Sequence, residues 1–281
     1  MLKDKKVCFL GAGAVTEAML GGLIKKGIIA SKNITIVNKS NYEQLNRLVK
    51  KYDVNSSFNK KEGIKEADVI VLAVKPKDVT TSLDEYKEVI TKQLILSVVA
   101  GVDTDYLNFL LGNDLPVIRS MPNTSAMIGM SITAVAKGRF ATDQDLEIIM
   151  PLLEAIGKVV VVEERLLDAV TGLSGSGPAY FYYIVEAMEK VAIELGFDDH
   201  IARELIIHTL IGAGHMLLET KESAKILREK VTSPNGTTFA GLKVLEDYHV
   251  KEGVIKAIKR ATERSKELGS TYKREMLKKP I

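Results

Sequence analysis

Two short stretches of this chain carry residues spaced for chemistry. The first is "FLGAGAVTEAM", where Gly11 and Gly13 follow an apolar run and open an amphipathic one. In a strand–turn–helix unit the first such glycine permits the tight bend. The second lets backbone approach a pyrophosphate resting on the helix amino terminus. Gly11, Ala12, Gly13, Ala14 and Val15 are therefore candidates for cofactor binding. The second stretch is "VTSPNGTTFAG", which packs five hydroxyl or amide side chains, a proline and a glycine into the eight positions from Val231 to Thr238. Gly236, Thr237 and Thr238 precede a helix-like segment, so their amides can form an anion-binding terminus that holds a carboxylate, with the Ser233 hydroxyl as a further donor. The same residues are also ordinary helix caps. The two roles are compatible, because a cap with a vacant amide is an anion site.

The next strand-like run, "ITIVNKS", bears on which nucleotide the glycine turn serves. NAD-binding sites commonly place Asp or Glu here to accept a hydrogen bond from the ribose. This chain has Asn38, Lys39 and Ser40 instead, which can surround a ribose phosphate without repelling it. NADPH is the expected cofactor, with NADH as the second choice. Further along, "AVKP" (Ala73, Val74, Lys75, Pro76) and "VVAG" (with Ala100) end later apolar runs. Ligands in open α/β sheets lie outside the carboxyl ends of the strands, so these turns are expected to line the same crevice. Lys75 could act as an acid, but a lysine before proline at a strand exit reads first as part of the turn.

Positioning these groups requires a sheet. From residue 5 to about 163 the sequence alternates strand-length apolar runs with helical stretches: "KVCFLGAG", "ITIVNKS", "ADVIVLAVKP", "LILSVVAG", "LPVIRSMPN", "SITAVAKG" and "KVVVVEE". Near-continuous Val, Ile and Leu suggests strands buried on both faces, the habit of a parallel sheet covered by helices. The expectation is an α/β, Rossmann-like, doubly wound domain over residues 1–164, followed by an all-α domain over 165–281. In the second part a helix should run from near Pro178 to Gly196, with Phe181, Ile184, Met188, Val191 and Leu195 in one stripe. The segment from Asp199 to Thr220 is apolar around most of its circumference and carries Gly212 and Gly214, which suggests close helix packing. The remaining helices are too few to enclose it, so a second copy of the chain is expected to supply the cover. The charge-rich tail from Lys251 reads as a solvated outer helix.

The bulk properties narrow the class. A length of 281 residues exceeds the roughly 100 to 200 of one domain, and 46% hydrophobic with 27% charged residues is ordinary for a soluble protein. Neither a membrane-length apolar run nor a signal peptide is read from the sequence, so the expected location is the cytoplasm and no membrane is expected as partner. The net charge of +3 is spread along the chain, which argues against nucleic acid. Cys8 is the single cysteine and reads as a buried packing residue. His208 and His215 would stand about 10 Å apart on a helix, too far for one ion, so no metal site is expected.

Taken together, "FLGAG", "LAVKP", "VAGV", "RSMPNTSAMIG", "GLSGSGPAY" and "VTSPNGTT", in that order, resemble the Δ1-pyrroline-5-carboxylate reductase family along essentially the whole chain. The last motif is the most specific and is usually written S-P-G-G-T-T. Thr16 stands where Gly or Ala is usual, Ser125 where Pro is common, Ser131 where Thr is frequent, and Asn235 replaces the first signature glycine. Asn tolerates left-handed backbone, so the loop can keep its shape. The resemblance implies NAD(P)H-dependent reduction of the cyclic imine pyrroline-5-carboxylate to L-proline, the last step of proline biosynthesis. It also implies that Ser233, Gly236, Thr237 and Thr238 hold substrate, and that Thr238, the candidate catalytic residue, is hydrogen-bonded to the ring nitrogen. Intertwined homodimers, built in some members into a decamer as a ring of five dimers, are implied as well. "GLSGSGPAY" reads as a glycine-rich hinge, with Ser176 structural. The rival readings are an NADP-dependent hydroxyacid dehydrogenase, which would need an acid such as Lys190 near its substrate, and a nucleotide-responsive binding protein without turnover.

Overall fold

The structure is a computed structural model that describes residues 2–39, 41–57 and 60–278, with side chains described up to residue 271. Strands and helices alternate as the apolar runs require: β1 (Val7–Leu10), α1 (Ala14–Lys25), β2 (Ile34–Val37), α2 (Tyr42–Tyr52), β3 (Asn55–Ser56), α3 (Lys60–Lys65), β4 (Val69–Leu72), α4 (Val79–Tyr86), β5 (Leu94–Ser97), α5 (Thr104–Leu111), β6 (Val117–Met121), β7 (Ser131–Lys137), α6 (Asp143–Glu154), β8 (Gly157–Val161) and α7 (Leu167–Val170). They form one sheet in the order β3-β2-β1-β4-β5-β6-β7-β8. The chain moves outward from β1 to β3 and then crosses back to β4 on the other side of β1. The carboxyl ends of β1 and β4 therefore flank a topological switch point, where such sheets bind ligands.

Two layers of core follow from the strand period of two. Val7 and Phe9 point toward α1, α2 and α6, whereas Cys8 and Leu10 point toward α3, α4 and α5. Cys8 is fully buried in the second layer, and burial pushes its thiol up to about 12, as expected of a packing residue. Three features depart from the sequence reading. β3 is an eighth strand of only two polar residues, without the apolar run that marks the others. β6 and β7 pair antiparallel, because the nine residues from Pro122 to Met130 between them are too few for a parallel crossover. The run "KVVVVEE" forms β8, an edge strand whose Val160 and Val161 are exposed, so it is not covered on both faces.

By packing, the chain forms two compact units. One comprises the residues up to Gly177 together with those from Lys259 onward, and the other runs from Pro178 to Ile258. α7 and the π-helix after it, Thr171–Gly175, pack on the sheet and so belong with the first unit. Leu167 is buried with Ala134 and Ala136, and a side chain on Gly175 would lie 2.7 Å from Met121 Cε. The tail is not simply solvated either. Ser265 is buried and donates to Asp168 Oδ1 at 2.7 Å, while Gly269 comes so close to the Gly101 carbonyl that a Cβ would sit 2.7 Å from it. Asp168 and Glu164 also flank the buried Arg119 of β6, at 3.5 and 3.8 Å.

The second unit is helical throughout: α8 (Gly177–Glu194), α9 (Asp199–Thr220), α10 (Ala224–Lys230), α11 (Thr237–Asp247) and the start of α12 (Val250–Lys278). Gly196, with φ +90°, follows α8 as the expected stop. Among its described residues only Ala202 and Ile206 are buried. Phe181, Ile184, Met188, Val191 and Leu195 of the expected stripe are all exposed. α9 is long and apolar enough to cross a membrane by length and composition, yet most of it lies open in this chain.

Candidate functional site

The glycine turn is built as its chemistry requires. Gly11 has φ +114°, and a Cβ there would lie 2.4 Å from the Ala73 carbonyl oxygen, so glycine is enforced by the close approach of the β4 exit. Its amide donates to Val37 O at 2.8 Å, which ties the ends of β1 and β2 together. Gly13 is different. It caps α1 in extended backbone, without a side-chain cap, and a Cβ on it would meet nothing within 4 Å. The chain's own packing leaves that space free, and it lies at the positive end of a twelve-residue helix. Thr16, in the position expected for Gly or Ala, is buried and its hydroxyl donates to Gly11 O at 2.8 Å.

A cleft of about 530 Å³ opens over this turn, outside the carboxyl ends of β1, β2 and β4. Of the residues expected from sequence, Gly11, Ala12, Gly13, Asn38, Lys39, Ala73, Val74 and Lys75 line it. Ala14, Val15, Pro76 and Ala100 do not. Ala14 and Val15 belong to α1 itself, with Val15 packed toward the core, and Pro76 opens a 3₁₀ turn. Ala100 follows β5, one strand beyond the cleft, and its neighbour Gly101 is met by Leu268 and Ser265 of α12. Ser40 lies outside the described residues. Lys75 is exposed, and its carbonyl accepts from Asp78 N at 2.9 Å, which suits a turn-shaping role.

Sequence reasoning missed Asn41, Lys77, Asp78, Ser82, Glu85 and Tyr86, which also line the cleft. The available signal was the spacing of Asp78, Ser82 and Glu85, a polar i, i+4, i+7 stripe that starts at the residue before α4 and runs to its last turn.

The electrostatics of the β2 exit agree with a phosphate. Asn38 donates to Asn41 O at 2.8 Å and so shapes the loop, while Asn41 caps α2 by accepting from Gln44 N at 2.9 Å. Lys39 is exposed and makes no ion pair among the described residues. Arg47 and Lys51 are engaged by Glu17 in the first turn of α1: Arg47 pairs with both its oxygens, and Lys51 Nζ lies 2.9 Å from Oε1. The Arg47 guanidinium, with Lys51 behind it, holds the Glu17 carboxyl below its ordinary range against the opposing effect of burial. That leaves Lys39 as the cation that the β2 exit presents to the cleft, while the carboxylates of the cleft, Asp78 and Glu85, lie after the β4 exit and on α4.

In the helical unit, Asn235 has φ +60°, the left-handed conformation for which the sequence suggested asparagine could replace glycine. The Gly236 amide donates to Ser233 O at 3.0 Å, and a Cβ on Gly236 would lie 2.4 Å from Ser233 Oγ. Gly236 then caps α11 without a side-chain hydrogen bond, and the chain turns so that Ser233 stands over the helix amino terminus. Thr237 and Thr238 occupy the first turn and are exposed. Ser176 follows the π-helix in ordinary right-handed backbone, and Lys190 is exposed on α8.

An α/β sheet with a glycine turn at its switch point, joined to a helical unit, defines a nicotinamide-dinucleotide oxidoreductase. Residues 6–101 match the family described as "NADP oxidoreductase coenzyme F420-dependent", and residues 164–268 match "Pyrroline-5-carboxylate reductase dimerisation". The chain belongs to the pyrroline-5-carboxylate reductase family. It is 43% identical over 266 residues to pyrroline-5-carboxylate reductase 1 of Bacillus subtilis, covering 94% of this chain and 90% of that one. It is 37% identical to the reductase of Methanosarcina acetivorans, covering 95% and 99%. The solved reductase of Coxiella burnetii superposes with a TM-score of 0.85 at 34% identity, covering 94% and 98%. A Plasmodium falciparum pyrroline carboxylate reductase, solved with NADP bound, shares the fold with a TM-score of 0.86 at 24% identity, covering 96% and 100%.

Proposed function

We propose that the chain reduces the cyclic imine Δ1-pyrroline-5-carboxylate to L-proline with NADPH, using NADH as a second donor. The observation that carries this reading is the loop from Ser233 to Thr238, where Asn235 keeps the left-handed turn that leaves the first-turn amides of α11 without a side-chain cap. A substrate carboxylate is the anion such a terminus suits.

The cleft fits the cofactor: Gly13 leaves room where a pyrophosphate would rest, and Lys39 with Asn38 can flank a ribose phosphate. Gly11, Ala12 and Gly13 would hold the pyrophosphate, and Ala73, Val74 and Lys75 the wall beside it. Bound there, the reduced nicotinamide supplies a hydride for the imine carbon. The amides of Gly236, Thr237 and Thr238 and the Ser233 hydroxyl fix the carboxylate, while the Thr238 hydroxyl orients the ring nitrogen. That nitrogen gains its proton from water or a neighbouring acid, since a threonine hydroxyl is too weak an acid to be the source. Catalysis on this account comes mainly from positioning.

The exposed apolar length of α9, inside the region that matches a dimerisation family, supports its reading as the core of a homodimer and not as a membrane span. Assembly of dimers into a decamer and residence in the cytoplasm belong to the same proposal. The decisive assay is oxidation of NADPH and, separately, NADH by the purified protein with racemic pyrroline-5-carboxylate, with proline quantified. Stoichiometric proline supports the assignment. NADPH binding without turnover would move it to another imine or to nucleotide sensing.

A further inference from the structure

The polar stripe of α4 is not accounted for by phosphate binding. Asp78, Ser82 and Glu85 face one cleft from successive turns, beside the buried Tyr86. Asp78 is nearest the β4 exit, which touches the glycine turn. Glu85 lies seven residues on, about 10 Å farther along the helix. Glu85 is exposed, makes no ion pair among the described residues, and is hydrogen-bonded to the Tyr86 hydroxyl, which leaves its remaining lone pairs open to the cleft.

A carboxylate on this wall repels phosphates, and what it offers a ligand is a hydrogen-bond acceptor. At the adenosine end of NADPH the donors are the ribose 3′-hydroxyl and the adenine 6-amino group. The ribose carries the 2′-phosphate and belongs with Lys39 at the β2 exit. The end of the stripe farthest from the pyrophosphate cradle is left with the moiety farthest from the pyrophosphate. We propose that Glu85 recognises the adenine ring, its carboxylate accepting a hydrogen bond from the 6-amino group, with Tyr86 as an aromatic wall. The proposal rests on the dinucleotide reading of the cleft and adds a specificity residue to it.

The test compares NADPH with its reduced hypoxanthine counterpart, in which a carbonyl oxygen replaces the 6-amino group. Both are titrated into wild-type protein and Glu85→Gln, with nicotinamide fluorescence as the readout. The substitution keeps size, and its amide can donate to the hypoxanthine oxygen. The wild type should prefer NADPH, and Glu85→Gln should move the ratio of the two dissociation constants about tenfold toward the hypoxanthine form. An unchanged ratio, with both affinities shifted alike, would show a charge acting at a distance and overturn the contact. Failure of the wild type to bind either dinucleotide would overturn the reading of the cleft itself.

Discussion

The buried Thr16 hydroxyl donates to the carbonyl of the equally buried Gly11 across 2.8 Å. Glycine or alanine at this position would leave that carbonyl to find another partner. Thr16→Val keeps the shape and deletes the donor, so it should lower stability by about 1–3 kcal/mol in urea unfolding. NADPH should restore part of the loss by binding the folded state. An unchanged midpoint would show that the contact contributes nothing.

Thr238 is exposed in the first turn of α11 and takes no part in the nucleotide cleft. Thr238→Ala should therefore reduce turnover about tenfold or more while the dissociation constant for NADPH stays nearly constant. Wild-type turnover in steady-state assays would remove Thr238 from the mechanism.

Lys39 separates the two nicotinamide cofactors by charge. Lys39→Asp replaces attraction for the ribose phosphate with repulsion and should weaken NADPH about tenfold to a hundredfold more than NADH. Fluorescence titration decides it, and equal losses would contradict the assignment of Lys39.

Glu17 gives a pH signature. Its carboxyl is held below the ordinary value of 4.5 by Arg47 and Lys51, so the folded state binds fewer protons there than the unfolded chain. The stabilisation is complete above about pH 4.5 and is lost as pH falls through the lowered folded value. In acid titrations followed by circular dichroism, Glu17→Gln should flatten the stability profile in that window. A profile of unchanged slope would mean the pair is not coupled to folding.

Legibility differed by element for physical reasons. β1, β4 and β5 are buried on both faces and announce themselves as unbroken apolar runs. β3 has two polar residues and pairs only along β2, leaving no hydrophobic trace. Gly11 and Asn235 were readable because backbone geometry restricts which residues can stand there, and Gly13 because a ligand must approach the backbone at that spacing. Glu85 was not, since a glutamate on a helix is usually solvated and only the neighbouring strand exits show that it faces a cleft. The return of α12 was hidden too: its charge pattern is that of an outer helix, and the contact depends on one small serine and one glycine.

The Ser265 contact with Asp168 is itself open to test. Ser265→Ala leaves a partly buried carboxylate short of a donor and should cost about 1–3 kcal/mol, with earlier proteolysis near the end of α12. No change in either would make the contact incidental.

Because the residues after Lys259 rejoin the unit that ends at Gly177, the nucleotide-binding half is discontinuous along the chain. During synthesis its sheet emerges first, yet its last piece follows only after the whole helical insert has been made. Until then Asp168 and the Gly101 turn lack the partners that α12 brings them, and the apolar helices of the insert are already exposed. The order of translation thus leaves the apolar helices and the seat of α12 on the sheet open together until α12 itself is made.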